Sequence, residues 1–136
     1  MTPWTRLLRY PDTIEALYAS PPSLQRFAIT EIGWESDPHI CILRGVLAKF
    51  PDYPMDAWES DANRIGLRLI LEGLHHFEMT GWSFENLVDL TIETDPENGQ
   101  ILINARGDEL SLSARCTSLH LRDIYAYRSL RAEPVN

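Results

Sequence analysis

The stretch RIGLRLILE, residues 64–72, decides the fold class, because its residues alternate more regularly than those of any other segment. The apolar residues at every second position fall on one side of an extended chain: Ile65, Leu67, Leu69 and Leu71. The intervening residues are mostly polar and point the other way: Arg64, Gly66, Arg68, Ile70 and Glu72. Successive side chains of a β-strand point to opposite faces, so this pattern predicts a half-buried strand.

Period-two patterns of the same kind recur before and after this stretch. They occupy residues 24–34, 39–50, 74–80, 87–94, 100–106, 110–116 and 117–127. Asn98-Gly99 is a strong hairpin signal between two of them. A phase slip in the first pattern predicts a β-bulge near Thr30 or Glu31. The short connections force neighbouring strands to be antiparallel.

A helical pattern precedes the strands. Apolar residues at Ile14, Leu17 and Tyr18 predict a short helix over about 12–19, which the prolines at 21 and 22 would end. The predicted fold is α+β, with this one short N-terminal helix and a curved antiparallel sheet of about eight strands. We expect a meander that is either an open curved sheet, a half-barrel or a barrel. A length of 136 residues favours a single domain, 1–136, with a frayed tail at 129–136.

The charge of the chain favours some partners over others. The formal net charge is −8, and residues 31–61 carry much of it. Nucleic acid and anionic lipid repel such a chain, so a basic protein is the better-suited partner if the chain has a macromolecular one. The alternative is that the negative charge serves solubility alone. The sequence contains neither an apolar run long enough to span a membrane nor a secretory signal. Cys41 and Cys116 are far apart and are expected to be reduced strand residues, which indicates a cytoplasmic protein.

The segment EGLHHFEMTGW, residues 72–82, contains the two adjacent histidines, which could suggest a metal or acid–base site. On a strand, His75 and His76 point to opposite faces, so they do not ligate one metal without a kink. The phase places His75 in the core with Phe77 and Met79. His76 then lies outward beside Glu78 and Glu72, in a cross-strand charge cluster.

Motifs for catalysis and for metal or cofactor binding are absent from the sequence. It has no HExxH, paired-cysteine, GxSxG or glycine-rich phosphate-loop signature. Twenty acidic residues could always supply a carboxylate pair, so that signal has no specificity. We therefore predict no catalytic residue, no metal site and no cofactor, and we expect that the protein is not an enzyme.

Two sets of residues are candidates for binding a protein partner. The first is the segment FPDYPMDAWESD, residues 50–61, in which acids alternate with large apolar groups that could anchor a basic partner. Its candidate contact residues are Asp52, Tyr53, Asp56, Trp58, Glu59 and Asp61. The second set lies on outward strand positions: Glu72, His76, Glu78 and Glu93. Trp34 and Trp82 lie at strand ends, where they either pack in the core or at the rim of the sheet or act as interface anchors.

The order of several short motifs resembles the immunity protein 50 family of bacterial polymorphic toxin systems. The motifs are YASPPSL, Phe50-Pro-Asp-Tyr-Pro54, Gly73-Leu-His-His-Phe, Gly81-Trp82 and Ile124-Tyr-Ala-Tyr127. The resemblance covers about residues 10–127. It implies a cytoplasmic protein that binds a cognate toxin domain and occludes its active site or another functional surface. It supplies no set of contact residues and no oligomeric state.

Two other functions remain open at this stage. A carrier of a small apolar ligand would need an internal cavity lined by residues such as Leu67, Leu69, Val88 and Leu90. An enzyme would need a cleft with a carboxylate or histidine of perturbed pKa. A toxin-binding protein would instead have a filled core and an exposed patch of acidic and aromatic side chains.

Overall fold

A computed structural model describes residues 3–35 and 39–130. A 3-10 helix, Trp4–Leu7, precedes the helix α1, Asp12–Leu17. Eight strands follow: β1 Phe27–Trp34, β2 Ile40–Leu47, β3 Arg64–Glu72, β4 His76–Thr80, β5 Leu87–Thr94, β6 Ile101–Gly107, β7 Ser111–Cys116 and β8 Ser118–Tyr127. The predicted α+β class and the strand count are therefore confirmed. Most of the predicted frayed tail, 129–136, falls on residues 131–136, which lie outside the described part.

The helix α1 is shorter than the predicted 12–19. Tyr18 has an extended backbone, with φ −126° and ψ 138°. Its side chain is buried, and its hydroxyl donates a hydrogen bond of 2.6 Å to the carbonyl oxygen of Lys49. This contact holds Tyr18 against the chain after β2 and ends the helix before the prolines do.

All eight strands belong to one antiparallel sheet, in the order β4-β7-β6-β5-β1-β2-β3-β8. The sheet is not closed into a barrel, which excludes the closed form among those predicted. It contains two three-stranded meanders, β1-β2-β3 and β5-β6-β7. The β1–β5 ladder that joins them has only two residue pairs, Phe27↔Val88 and Ala28↔Leu87. The sheet therefore consists of two four-stranded halves with a narrow junction.

β3 follows its sequence pattern on one face only. Ile65, Leu67, Leu69 and Leu71 are buried, as predicted. On the other face, expected to point outward, Ile70 is only 1% exposed and Arg64 only 8%. β3 lies between β2 and β8, so the long side chains of those strands flank and cover its outer face.

Two irregularities bend the half of the sheet that contains β3. The β1–β2 register shifts between Ile29 and Glu31, which confirms the predicted bulge. The β3–β8 register shifts between Gly66 and Arg68. Opposite this second shift, Asp123 has a φ of 56°, a conformation that only a few residue types adopt readily. The bulges increase the local twist and help to curve the sheet around its core.

Both halves of the sheet contribute to a single hydrophobic core. Buried residues of α1 and of every strand except β4 form one cluster. Cys41 and Cys116 are in it as free thiols, as predicted. Burial raises the pKa of the Cys41 thiol to about 11 and that of Cys116 to about 12. None of the described helices is long and apolar enough to cross a membrane.

The core position predicted for His75 and Met79 is wrong. His75 is exposed, and Met79 is 37% exposed. β4 is the outermost strand of its half, so no neighbouring strand covers the side chains beyond it. Phe77 alone is partly buried, and its ring contacts that of Trp34 edge-on at 5.1 Å.

Candidate partner-binding surfaces

The two adjacent histidines are in separate environments. His75 Nε2 lies 3.1 Å from Thr117 Oγ1, and the His75 backbone N–H donates to the carbonyl oxygen of Arg115. His76 Nε2 lies 3.8 Å from Glu78 Oε1. Among the residues that the structure describes, no group of three His, Cys, Asp or Glu side chains could hold a metal ion.

Asp52 connects the acidic loop, residues 51–61, to neighbouring parts of the chain. Its Oδ2 accepts a 2.9 Å hydrogen bond from the backbone N–H of Ala19, just beyond α1. Its Oδ1 lies 3.2 Å from Lys49 Nζ. The Ala19 hydrogen bond and the Lys49 ammonium together lower the pKa of the Asp52 carboxyl. The first of the predicted contact residues therefore ties the loop to the helix.

Other side chains of the acidic loop divide between those with a partner in the protein and those without one among the described residues. Trp58 packs against the core with its ring edge-on to Phe50 at 6.5 Å. Asp61 pairs with Arg128 at 3.1 Å. Tyr53 is 60% exposed. Asp56 and Glu59 are exposed, and neither has an ion pair or side-chain hydrogen bond to a described residue. The loop thus offers two carboxylates and one aromatic ring to a partner.

The second predicted set does not form one cluster. Glu72 lies on β3, and its Oε1 accepts hydrogen bonds from Arg9 Nη1 at 3.2 Å and Ser118 Oγ at 3.4 Å. His120 Nδ1 is 3.1 Å from the same oxygen but without hydrogen-bond geometry. Glu72 therefore joins the N-terminal segment to β8, in the opposite half of the sheet from β4. The predicted cross-strand cluster of Glu72 with His76 and Glu78 is wrong, because β3 and β4 are not paired.

Glu93, His76 and Glu78 do share a face. Glu93 is paired with Leu102, Leu102 with Arg115, and Arg115 with His76. Directly paired residues lie on the same side of a sheet, so these four form a row across β5, β6, β7 and β4. Glu78 is two residues further along β4, on the same face. This outer face is the second acidic surface.

Sequence reasoning missed a groove at the junction of the two halves. The aromatic groove has a volume of about 960 Å³ and lies between the loop 82–87, the start of β1, the end of β2 and the end of β8. Three exposed aromatic side chains line it: Phe84 at 92%, Trp82 at 48% and Tyr127 at 36%. Monomeric proteins rarely leave such groups together in water, and a cluster of them marks a binding surface.

The loop that carries Phe84 is built by side-chain hydrogen bonds. Asn86 is 6% exposed, and its Oδ1 accepts from the Ser83 N–H at 2.9 Å. Its Nδ2 donates to the Ser83 carbonyl oxygen at 3.0 Å. The Asn86 carbonyl oxygen in turn accepts from the Ile29 N–H of β1. Ser83 and Asn86, three residues apart, are the local sequence signal for this hydrogen-bonded loop, whose backbone presents Phe84 to solvent.

The residues suggested for an internal ligand cavity lie in the filled core. Leu67, Leu69, Val88 and Leu90 are between 1% and 4% exposed and belong to the single core cluster. None of the four lines the aromatic groove. The apolar-carrier hypothesis therefore has no support at the position where it was placed.

The comparisons with known proteins bear on the family. Neither the comparison with curated proteins nor that with solved structures finds a match. The family model described as Immunity protein 50 matches residues 11–127, which include α1 from its first residue and all eight strands. This match covers well over half of the chain and agrees with the resemblance in the motifs. The chain belongs to the Immunity protein 50 family.

Proposed function

We propose that this protein acts in the cytoplasm as an immunity protein that binds a cognate toxin domain. It would neutralise the toxin by covering its active site or another functional surface. Membership of an immunity family supports a toxin partner in general and a non-enzymatic role. The observation that carries the proposal further is the aromatic groove, since aromatic anchors in pockets supply most of the binding energy in many protein interfaces.

The exposed carboxylates would act mainly on the rate of association. Asp56 and Glu59 of the acidic loop have no ion pair among the described residues, and on the outer face Glu78 and Glu93 share their row with only two described cationic side chains, His76 and Arg115, the second of which is paired with Asp95. Such charges attract a basic partner over a distance of about 10 Å at moderate salt. Tyr53 would contribute contact area beside them. Asp52, Trp58 and Glu72 would support these surfaces, because each already contacts another part of the protein, while Asp61 forms an exposed ion pair with Arg128.

Binding is tested with a toxin domain identified in a gene next to that of this protein. Coexpression should abolish the toxicity of that domain, and the purified pair should form a stable complex by calorimetry. Phe84→Ala should weaken binding by about tenfold or more, because it removes the most exposed aromatic group of the groove. The thermal unfolding temperature should not change, since Phe84 is 92% exposed.

The matched control is Tyr10→Ala, which removes an exposed aromatic ring, 68% exposed, that is not part of the groove. We expect it to change the affinity by less than about twofold. Equal effects of the two substitutions would show that the groove has no special role. Absence of any complex between the wild-type proteins would refute the proposed function itself.

A further inference from the structure

Three arginines lie side by side on the outer face of the other half of the sheet. Arg44 of β2 is paired with Arg68 of β3, and Arg68 is paired with Arg122 of β8. We call these three residues the arginine row. Directly opposed side chains of like charge destabilise a sheet, and this row crosses three adjacent strands. In a protein of net charge −8, three directly opposed arginine side chains need a physical explanation.

Each arginine of the row has one carboxylate within 4 Å, so these acids balance its formal charge but occupy only a few of its N–H donors. Asp123 lies 3.1 Å from Arg68, and Glu35 lies 3.2 Å from Arg122. The nearest carboxylate to Arg44, that of Glu31, is 3.8 Å away, and Arg44 donates no side-chain hydrogen bond to a described residue. The Nε atoms of Arg44 and Arg68 are buried without an acceptor in the described residues. A guanidinium group has five N–H donors, so most donors of the row have no acceptor among the described residues.

The backbone near the row is also unusual. Asp123, with its φ of 56°, is at the β8 bulge opposite the Gly66–Arg68 shift. This strained position brings the Asp123 carboxylate to Arg68 and holds that guanidinium in one place. Strained backbone in folded proteins occurs preferentially at binding and active sites.

The residues next to the row have the composition of a protein interface. On one side are Ile42, Ile70 and His120, paired across the same three strands. On the other side, the Tyr125 ring lies over Gly66 and is 5.8 Å from the ring of Tyr127. Tyr127 also lines the aromatic groove, so the row and the groove form one continuous surface. Tyrosine and arginine are the residue types most enriched at the centres of interfaces.

We infer that the arginine row is a docking site for carboxylate side chains carried by the toxin domain. This inference rests on the proposed function and specifies its partner. Arginine binds a carboxylate through two parallel N–H donors, which fixes orientation as well as adding energy. A partner seated here would place aspartate or glutamate over Arg44 and a large apolar side chain in the groove. The partner surface is therefore mixed in charge, with acids at its centre.

Carboxylates fit the row better than the phosphates of a nucleic acid. Nucleic acid carries a dense line of negative charge, which the net charge of −8 repels as a whole. A folded toxin domain can place one or two acids on the row while its basic groups meet the acidic surfaces around it. The row would then set the register of the complex, and the acidic surfaces would set the rate at which the complex forms.

The inference is tested by substituting Arg44→Gln and Arg122→Gln and measuring toxin affinity. Each should weaken binding by about tenfold or more, because a desolvated carboxylate of the toxin loses its partner. Arg44→Lys should retain only part of the affinity, since it keeps the charge but loses the two-pronged donor. Thermal unfolding should remain close to that of the wild type, because exposed ion pairs contribute little to stability.

Arg6→Gln is the matched control. Arg6 precedes α1, outside the surfaces described above, and like each arginine of the row it pairs with one carboxylate, that of Glu15 at 3.0 Å. The substitution removes the same charge, and the affinity should change by less than about twofold. If the wild type binds the toxin and all these variants bind equally well, the inference fails while the proposed function stands.

A second measurement uses defined probes in place of the toxin. The Nε–Hε NMR signals of Arg44, Arg68 and Arg122 are followed while an end-blocked octaglutamate peptide is added. We expect octaglutamate to cause saturable shifts of these three signals. Octalysine should cause no shifts, and a 16-base-pair DNA duplex should cause weaker shifts than octaglutamate. Tighter binding of the duplex than of the octaglutamate would assign the row to phosphate, and absence of shifts with octaglutamate would also overturn the inference.

Discussion

At the scale of single residues, Gly45 marks the closest approach between β2 and the core. A Cβ atom at this position would overlap the ring of Phe27 and lie 2.7 Å from the Ala28 carbonyl oxygen. Gly33, on the neighbouring strand β1, has no heavy atom within 4 Å of the corresponding Cβ position. Neither glycine has a positive φ, so the space around each one decides the effect of a methyl group.

We therefore expect opposite results from two alanine substitutions. Gly45→Ala should lower the free energy of unfolding by about 1–3 kcal/mol, because it overpacks a closed core. Gly33→Ala should raise the free energy of unfolding by up to about 1 kcal/mol, because alanine loses less conformational entropy in a strand. Urea denaturation of both variants measures the difference. Equal destabilisation by the two would mean that β2 does not lie against Phe27 as described.

Single residues also show the limit of sequence reasoning about the site. The alternation around Leu67 and Leu69 predicted their burial correctly, because burial on a central strand follows directly from the period of the strand. The same period predicted a buried Met79 and failed, because nothing in the local sequence states that β4 is an edge strand. The arginine row depends on the pairing of three strands, and pairing is a long-range property.

At the scale of elements, the connection between α1 and the acidic loop depends on one carboxylate. Asp52 joins the chain after α1, through Ala19, to Lys49 just before the loop. The hydrogen bond from Ala19 and the charge of Lys49 lower its pKa in the folded protein. A carboxyl group whose pKa is lowered by folding stabilises the protein above its unfolded pKa, and this contribution is lost as the pH falls through the folded value.

Asp52→Asn should therefore destabilise the protein at pH 7, and its difference from the wild type should shrink below about pH 4. Asparagine keeps an acceptor for Ala19 but not the charge that pairs with Lys49. Unfolding midpoints in urea, measured from pH 7 to pH 3, report the difference. Asp56→Asn is the control, because Asp56 has no described partner and should have no effect at any pH. A constant Asp52→Asn deficit down to pH 3 would contradict the proposed role of the carboxylate.

Prediction at the level of elements succeeded where the signal was local. The turn at Asn98-Gly99 and the bulge near Glu31 were both readable from a few consecutive residues, and the bulge is confirmed. The order of the strands was not readable in this way, since the β1–β5 junction rests on two residue pairs far apart in the chain. The aromatic groove lies at this junction, which is why its lining could not be assembled from the sequence.

At the scale of the whole molecule, exposed acids and the paired arginines lie on different surfaces, which the proposed toxin complex would use differently. The acidic loop and the second acidic surface carry exposed carboxylates, while the arginine row lies among its own acids on the outer face of β2, β3 and β8. Exposed charges at the edge of an interface act mainly on the association rate, and desolvated ones act on the dissociation rate. The same toxin complex should therefore respond differently to charge changes at the two kinds of surface.

Charge reversal at the acidic surfaces is expected to slow association without changing the fold. Asp56→Lys with Glu59→Lys, or Glu78→Lys with Glu93→Lys, should lower the association rate constant by roughly tenfold at low salt and leave the dissociation rate nearly unchanged. The salt dependence of association should weaken in parallel.

The control variant, Glu97→Lys with Asp108→Lys, changes the net charge by the same amount at exposed positions outside both surfaces. Stopped-flow association at several salt concentrations separates the three variants. A control that slows association as much as the others would assign the effect to net charge alone, and unchanged rates in all three would exclude electrostatic steering by these acids.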